Sequence, residues 1–221
     1  MVDFSSDWLV AGRQIIDLTQ PLEPGDSVYP GDPALRYRPH AALEDAGYRL
    51  TEVTLGSHHG THVDAPSHFL AAGATVERLL LDAMVGPASV VDIPGVPDMT
   101  IEPETLAPYE ESFRPGARVL LRSGWDVHYG SERYWHGFPS LSPAAAQWMV
   151  ERELALLGLD TPSPSRDTQQ VHRILLAAPR PVVVVESLTN LARLPSRVIL
   201  VVLPLRLVGL DGSPARAIAL I

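Results

Sequence analysis

Two uninterrupted apolar runs, Pro181 to Val185 and Val198 to Leu203, limit what this chain can fold into. A half-exposed sheet reads as an alternation of apolar and polar residues. These runs offer no polar face, so they predict strands buried on both sides. Helices must supply the covers. Further strand-like runs lie at Arg49 to Leu55, Ala88 to Ile93, Arg118 to Leu121 and Ala215 to Leu220. One helix is predicted from Ser142 as N-cap and Pro143 in its first turn, through AAAQWMVERELALL, to a stop at Gly158. A second follows Asp167 as N-cap through TQQVHRILL, and a third is expected over TVERLLLDAM, beyond a histidine-rich segment. The class is mixed α/β, with the sheet topology left open by the pattern. The chain has 221 residues, 46% of them hydrophobic and 19% charged, and its 21 prolines are dispersed among short apolar runs. It therefore reads as a single domain over residues 1–221, large enough to bury a substantial core.

The segment Ser57 to Phe69 reads SHHGTHVDAPSHF and holds four of the eight histidines together with Asp64. At the chain-wide frequency a window of this size would hold fewer than one histidine, so the cluster reads as a metal site. His58 and His62 are four apart, the spacing of a zinc-binding helix, but Gly60, the β-branched Thr61 and Val63, and Pro66 all disfavour a helix here. In an extended chain His58, His62, Asp64 and His68 share parity and project to one side. Full extension would leave the α-carbons of His58 and His62 about 13 Å apart, too far for two imidazoles on one ion. A bend at Gly60, where the missing side chain permits unusual dihedrals, brings them closer, and Pro66 helps turn His68 toward the same pocket.

Composition narrows the chemistry. The chain has no cysteine, so disulfides and thiolate-bound zinc are excluded, and any metal must be held by imidazole and carboxylate. Such a site is expected to be catalytic rather than structural. A formal charge of -9 with 17 scattered basic residues argues against nucleic acid as partner and favours a small-molecule substrate. The first residues, MVDFSSDWLVAGRQ, lack the basic start and apolar run of a secretory signal, and no apolar run approaches a membrane span. A cytoplasmic protein is expected. Glu186 follows the apolar run Pro181 to Val185, and an ionised carboxylate at the end of a buried strand is costly without a cation beside it.

The stretch His58, Gly60, Thr61, His62, Asp64, Pro66, His68 resembles the H-x-G-T-H-x-D-x-P-x-H motif of the metal-dependent cyclase family, which includes bacterial kynurenine formamidases and isatin hydrolases. The resemblance extends through DLTQPLEPGDSVYPGDP near Asp17, RSGWDVHYGSERYWHGFPSLS from Arg122, GLDTPSPS from Gly158, His172, VESLTNLARLP from Val185 and the closing PLRLVGLDGSPARAIAL. It implies the cyclase-like swivelling β/β/α fold, with a mixed, largely buried or barrel-like sheet flanked by helices. It further implies two divalent metal ions, with zinc expected and manganese as the second choice. His58, His62 and Asp64 would bind the first ion, Asp64 would reach the second, and His172 and Glu186 would complete that second site, Glu186 touching both ions. His68 would be the general acid/base rather than a ligand, and Tyr29 would stand at the substrate-stacking position, where formamidases commonly carry Trp. Isatin hydrolases carry Gln where this chain has Glu186, which favours the two-metal, formamidase-like arrangement. Homodimers or higher homo-oligomers are implied as well, and the apolar residues of DFSSDWLV are expected to pack on a neighbouring copy.

The expected activity is a metal-dependent amide hydrolase. A metal-bound hydroxide attacks a small amide such as an aryl formamide of the N-formylkynurenine type, and His68 shuttles the proton to the departing amine. The alternatives are a hydrolase of cyclic amides or lactones, a metal-dependent cyclase or lyase using the same Lewis acid and base, and a metal-binding protein without catalysis. His40, His59, His128 and His136 read as ordinary surface or packing residues. Trp125 and Phe138 fit either a pocket wall or the core.

Overall fold

The computed structural model describes residues 12–94, 96 and 98–221. The segment DFSSDWLV, expected to contact a neighbouring copy, lies outside the described residues. The first strand is β1 (Ile15–Asp17), followed by the hairpin strands β2 (Arg36–Ala41) and β3 (Leu50–Thr54) around the one-turn helix α1 (Leu43–Ala46), and then by β4 (His62–Asp64). Helix α2 (Leu81–Met84) precedes β5 (Val85–Asp92), the short β6 (Thr100–Ile101), helix α3 (Pro103–Leu106), β7 (Arg118–Arg122) and β8 (Ser140–Leu141). Helix α4 (Pro143–Glu151) leads into β9 (Leu156–Leu159), and α5 (Thr168–Leu176) leads into β10 (Val183–Glu186). Strands β11 (Arg197–Pro204) and β12 (Gly212–Leu220) follow.

Strands β5, β7, β9 and β10 lie side by side in parallel. The circle is completed by antiparallel pairings of β10 with β4, β4 with β12, β12 with β11 and β11 with β5. Seven strands thus close on themselves as a barrel-like sheet, which leaves no open edge among them, and β1 adds to the far half of β12. Because side chains alternate along a strand, the closed sheet sorts them into two cores. Leu120, Leu156, Val183 and Val185 join Val63, Leu200 and Ala217 in one core. Their neighbours Val119, Leu121, Leu157 and Val184 join Ala145, Met149 and Leu175 of α4 and α5 in the other. Gly158 sits where β9 passes between layers, and a Cβ there would lie 2.5 Å from Leu120 Cδ2.

Strand β10 is buried on both faces, as its apolar run predicts, and Ser142 and Asp167 cap α4 and α5 by accepting from the backbone N–H of Ala145 and Gln170. Three expectations are corrected. Strand β11 is covered on one face only: Val198, Leu200 and Val202 are buried but Leu203 is 44% exposed, because α4 and α5 cover the β7, β9 and β10 side of the barrel. Helix α4 stops at Glu151 instead of reaching Gly158. Glu153 adopts a left-handed φ of 52°, and Ala155 and Leu156 both donate to Ala117 O, drawing the apolar LALL run into the sheet as β9. TVERLLLDAM is not one helix but a 3-10 turn at Val76–Arg78 and the separate α2, leaving Leu80 and Leu81 largely exposed. The turn is tied elsewhere, since Val76 N donates to Leu210 O and Gly209 N to Glu77 Oε2.

Carboxylates in the RSGWD and GLDTPSPS blocks serve the scaffold. Asp160 accepts from Ser123 N, Gly124 N and Ser123 Oγ at 2.9, 2.7 and 2.5 Å, and burial pushes its carboxyl up to about 6. Asp126 accepts from Thr189 Oγ1 and Asn190 N at 2.8 and 3.1 Å, joining the loop after β7 to the loop after β10. Trp125 and Phe138 are core residues, packed with Tyr134 in a small aromatic cluster. Among the described residues no helix is long and apolar enough to cross a membrane.

Candidate metal centre

The extended histidine segment pairs β4 with β10 so that His62 stands opposite Glu186 and Asp64 opposite Val184. Val63 faces the barrel core, so His62, Asp64 and Glu186 face the layer between the barrel and α5. Helix α5 lays Val171, His172, Leu175 and Leu176 on that layer, the i, i+3, i+4 stripe of an inward face. His172 is thereby brought to the same spot from a separate element. The bend comes at Gly60, whose φ is 64° and where a Cβ would lie 2.3 Å from Leu22 Cδ2. Pro66 opens a 3-10 turn that carries His68 round to the same cavity.

Three groups of ligand-type atoms result among the described residues: His58, His68 and Asp211 form one nearer the surface, and the other two share Asp64. His58, His62 and Asp64 form one, and Asp64, His172 and Glu186 form the other, with the donor atoms of each group within 4.8 Å of one another. His62 Nε2 lies 3.4 Å from Asp64 Oδ1 and 3.2 Å from Glu186 Oε2. His172 Nε2 lies 3.2 Å from Asp64 Oδ2 and 3.1 Å from Glu186 Oε1. The outer nitrogens are tethered: Nδ1 of His62 donates to Gly60 O at 2.8 Å and Nδ1 of His172 to Thr168 O at 2.5 Å. Each tether leaves the Nε2 lone pair pointing at the carboxylates, the tautomer that a metal requires.

His62 Nε2 and Asp64 Oδ2 are buried and have no hydrogen-bond partner among the described residues. Unsatisfied buried polar atoms are costly, and a cation between them would satisfy both. The donor set of imidazoles and bridging carboxylates therefore fits divalent ions. Without a cation the same atoms hold protons. Burial opposes a charge on His62 and His172, but the carboxylates of Asp64 and Glu186 beside them push both up to about 10. Burial likewise pushes Asp64 up, and bonds to His172, His58 and His62 outweigh it and hold the carboxyl well below its ordinary value.

His68 lies beside this cluster, stacked on the His58 ring at 3.8 Å between centroids, and burial holds its imidazole below the usual 6.5. It is neutral at pH 7, the state a proton acceptor needs. A cavity of about 420 Å³ opens over the cluster, walled by Phe69, Trp135, Tyr29 and Pro162. Tyr29 meets Trp135 edge-on at 5.9 Å, at the exposed rim. His40, His59, His128 and His136 fall outside all of these groups.

Sequence reasoning missed Trp135 and Asp211. Trp135 stood inside a motif block but carried no spacing signal. Asp211 lies 153 residues from His58, yet its Oδ2 is 2.9 Å from His58 Nε2 and 3.4 Å from His68 Nδ1.

The Cyclase family model matches residues 16–166. The chain is 30% identical to the kynurenine formamidase of Bordetella pertussis over 212 residues, covering 93% of this chain and 97% of that one. It is 31% identical to the kynurenine formamidase of Bacillus cereus over 210 residues, covering 92% and 95%. Among solved structures, isatin hydrolase A from Labrenzia aggregata superposes with a TM-score of 0.84 at 26% identity, covering 95% of this chain and 94% of that one.

Proposed function

The chain belongs to the cyclase family, and from that premise we propose that it cleaves an aryl formamide of the N-formylkynurenine type, releasing formate and an amine. Metal-dependent hydrolysis of a C–N bond outside peptides is the chemistry that the relatives and the clustered ligands support. The observation that carries the reading is Asp64, buried and shared between two groups of imidazole and carboxylate donors beneath a cavity with aromatic walls.

In this reading His58, His62 and Asp64 hold one divalent ion, and Asp64, His172 and Glu186 hold a second, with Glu186 near enough to His62 to serve both. Zinc suits these donors best and manganese is the second choice. When bound, the ions supply Lewis acidity and an activated water. The protein's own groups do the rest. His68 accepts a proton and returns it to the departing nitrogen, a role supported by its neutral state and its place beside the cluster. Tyr29, with Trp135 at its edge, offers an aromatic wall for the aryl group. Burial of Asp64, His62 and His172 keeps bulk water from the charged atoms, which strengthens their electrostatic effect.

Turnover of N-formylkynurenine by protein stripped of metal, and then restored with zinc or manganese in separate samples, tests the proposal. Formate release that returns with one ion is expected. No release with both sites filled would move the substrate to a cyclic amide or lactone, the reading favoured by the isatin hydrolase likeness.

A cytoplasmic homodimer or higher homo-oligomer belongs to the same proposal. Its support is the β2–β3 hairpin, which stands apart from the barrel with Tyr37, Leu50 and Val53 about half exposed. Register puts Tyr37 opposite Val53 on one face and Arg38 opposite Glu52 on the other, which Leu50 shares, so the apolar face is formed by Tyr37 and Val53. Sedimentation of the purified protein should show more than one chain per particle; a monomer across micromolar concentrations would remove this element.

A further inference from the structure

We propose that Asp211 is a positioning residue that holds the ring orientation of His58 and favours one tautomer of His68. The inference rests on the reading of His58 as a ligand and His68 as the proton carrier.

Asp211 lies in the turn between β11 and β12, directly before Gly212. Its Oδ2 accepts from His58 Nε2 at 2.9 Å and lies 3.4 Å from His68 Nδ1 as a charge contact, so one carboxylate oxygen faces both rings. A carboxylate can only accept, so the Nε2 of His58 must carry the hydrogen. The same rule applies to Nδ1, 2.8 Å from Asp64 Oδ1, so in the metal-free protein both nitrogens carry hydrogen; a cation in the cluster would displace the one on Nδ1 and leave the Nε2 hydrogen bonded to Asp211. The same oxygen favours a hydrogen on Nδ1 of His68, which leaves its Nε2 free to accept a proton. The 27° angle between the stacked rings lets a single oxygen reach an edge of each.

The carboxylate is itself held. Ser57 Oγ donates to Oδ1 at 3.0 Å, and Ala65 N donates to the Asp211 carbonyl at 2.9 Å. Gly212 permits the close approach, because a Cβ there would lie 2.6 Å from His58 Cε1 and 2.9 Å from Val63 O. Asp211 is thus anchored on the residues flanking the histidine segment, while its free oxygen faces the two imidazoles. This is the arrangement of a carboxylate that orients a metal ligand from outside the coordination shell, extended here to a second histidine that is not a ligand.

The test is nitrogen NMR of zinc-loaded, 15N-histidine-labelled protein, wild type and Asp211→Asn, alongside kcat, KM and metal content. Asn keeps the shape and removes the charge. We expect the His58 Nε2–H to donate to Asp211 and His68 to carry its hydrogen on Nδ1 in the wild type, and the variant to shift the His58 Nε2 resonance and lose the fixed His68 tautomer. kcat should fall about 10–100-fold, the usual range for an outer partner of a metal ligand, with KM and zinc content unchanged. Unaltered His58 Nε2 and His68 resonances, or an unaltered kcat, in Asp211→Asn would overturn the proposal. If that variant does not fold, Ser57→Ala releases Oδ1 without touching either imidazole. A few-fold loss in kcat at constant KM is then expected, and no change in kcat or in the imidazole spectrum overturns it. The spectrum is read without turnover, so a protein that cleaves none of the amides offered would refute the functional reading and leave Asp211 tested independently.

Discussion

His68→Ala is expected to lose about 10²–10⁴-fold in kcat while keeping its full metal content, and Asp64→Ala to lose both turnover and metal. The difference comes from position. Asp64 is buried at the shared corner of both donor groups, and three contacts at 2.8–3.4 Å join it to His58, His62 and His172. Removing it strips both groups of a ligand and leaves His62 and His172 facing Glu186 alone, so the variant should also melt earlier, by about 3–5 kcal/mol in the metal-free state. His68 is partly exposed, and its ionic contact is with Asp211 rather than with the buried cluster. Its loss removes a proton carrier without removing a corner of the cluster. Metal analysis of the two purified variants beside their turnover decides the matter: equal metal loss in both would make His68 a ligand and end its assigned role.

Metal removal should make the stability of this protein fall as pH rises. In the metal-free protein the imidazoles of His62 and His172 are pushed up to about 10 by Asp64 and Glu186, against an ordinary value of 6.5 in the unfolded chain. The folded state therefore binds protons more tightly than the unfolded one. Their contribution is fully present below about pH 6.5 and is lost as pH climbs through about 10, where two buried carboxylates lose their neutralising partners. A bound divalent ion requires the deprotonated imidazoles and supplies the positive charge itself, so the loaded protein should hold its melting temperature over the same window. By the same linkage, binding of metal at pH 8 should expel about two protons per chain. Calorimetric titration in buffers of different ionisation enthalpy counts them. Metal uptake with no proton release, or a metal-free melting curve that is flat from pH 6.5 to 10, would contradict the charge arrangement described here.

Much of this centre was legible from residue types and spacing. The absence of cysteine left imidazole and carboxylate as the donors, and the shared parity of His58, His62 and Asp64 placed them on one side of an extended chain. Gly60 had to bend, and it does so with a positive φ, because steric exclusion of a Cβ operates within a few residues. The caps at Ser142 and Asp167 were equally local and equally readable. Helix extents were less so. The run ELALL after Glu151 satisfies a helix as well as a strand, since a short apolar stretch carries no decisive period. What made Leu156–Leu159 a strand was the space between β7 and β10 in the closed sheet. The same holds for TVERLLLDAM, where ties from Val76 and Glu77 to the β11–β12 connection displaced the helical bonds.

Residue types and spacing dictate the chemistry of the donors and the local bend that gathers them, because sterics, capping and side-chain parity act over a few residues. The closure of the sheet, the delivery of His172 by α5 to Glu186 and the reach of Asp211 to His58 and His68 across 153 residues of chain come from the packing of distant elements. Contacts at that separation depend on how whole strands pack, and no local propensity encodes them.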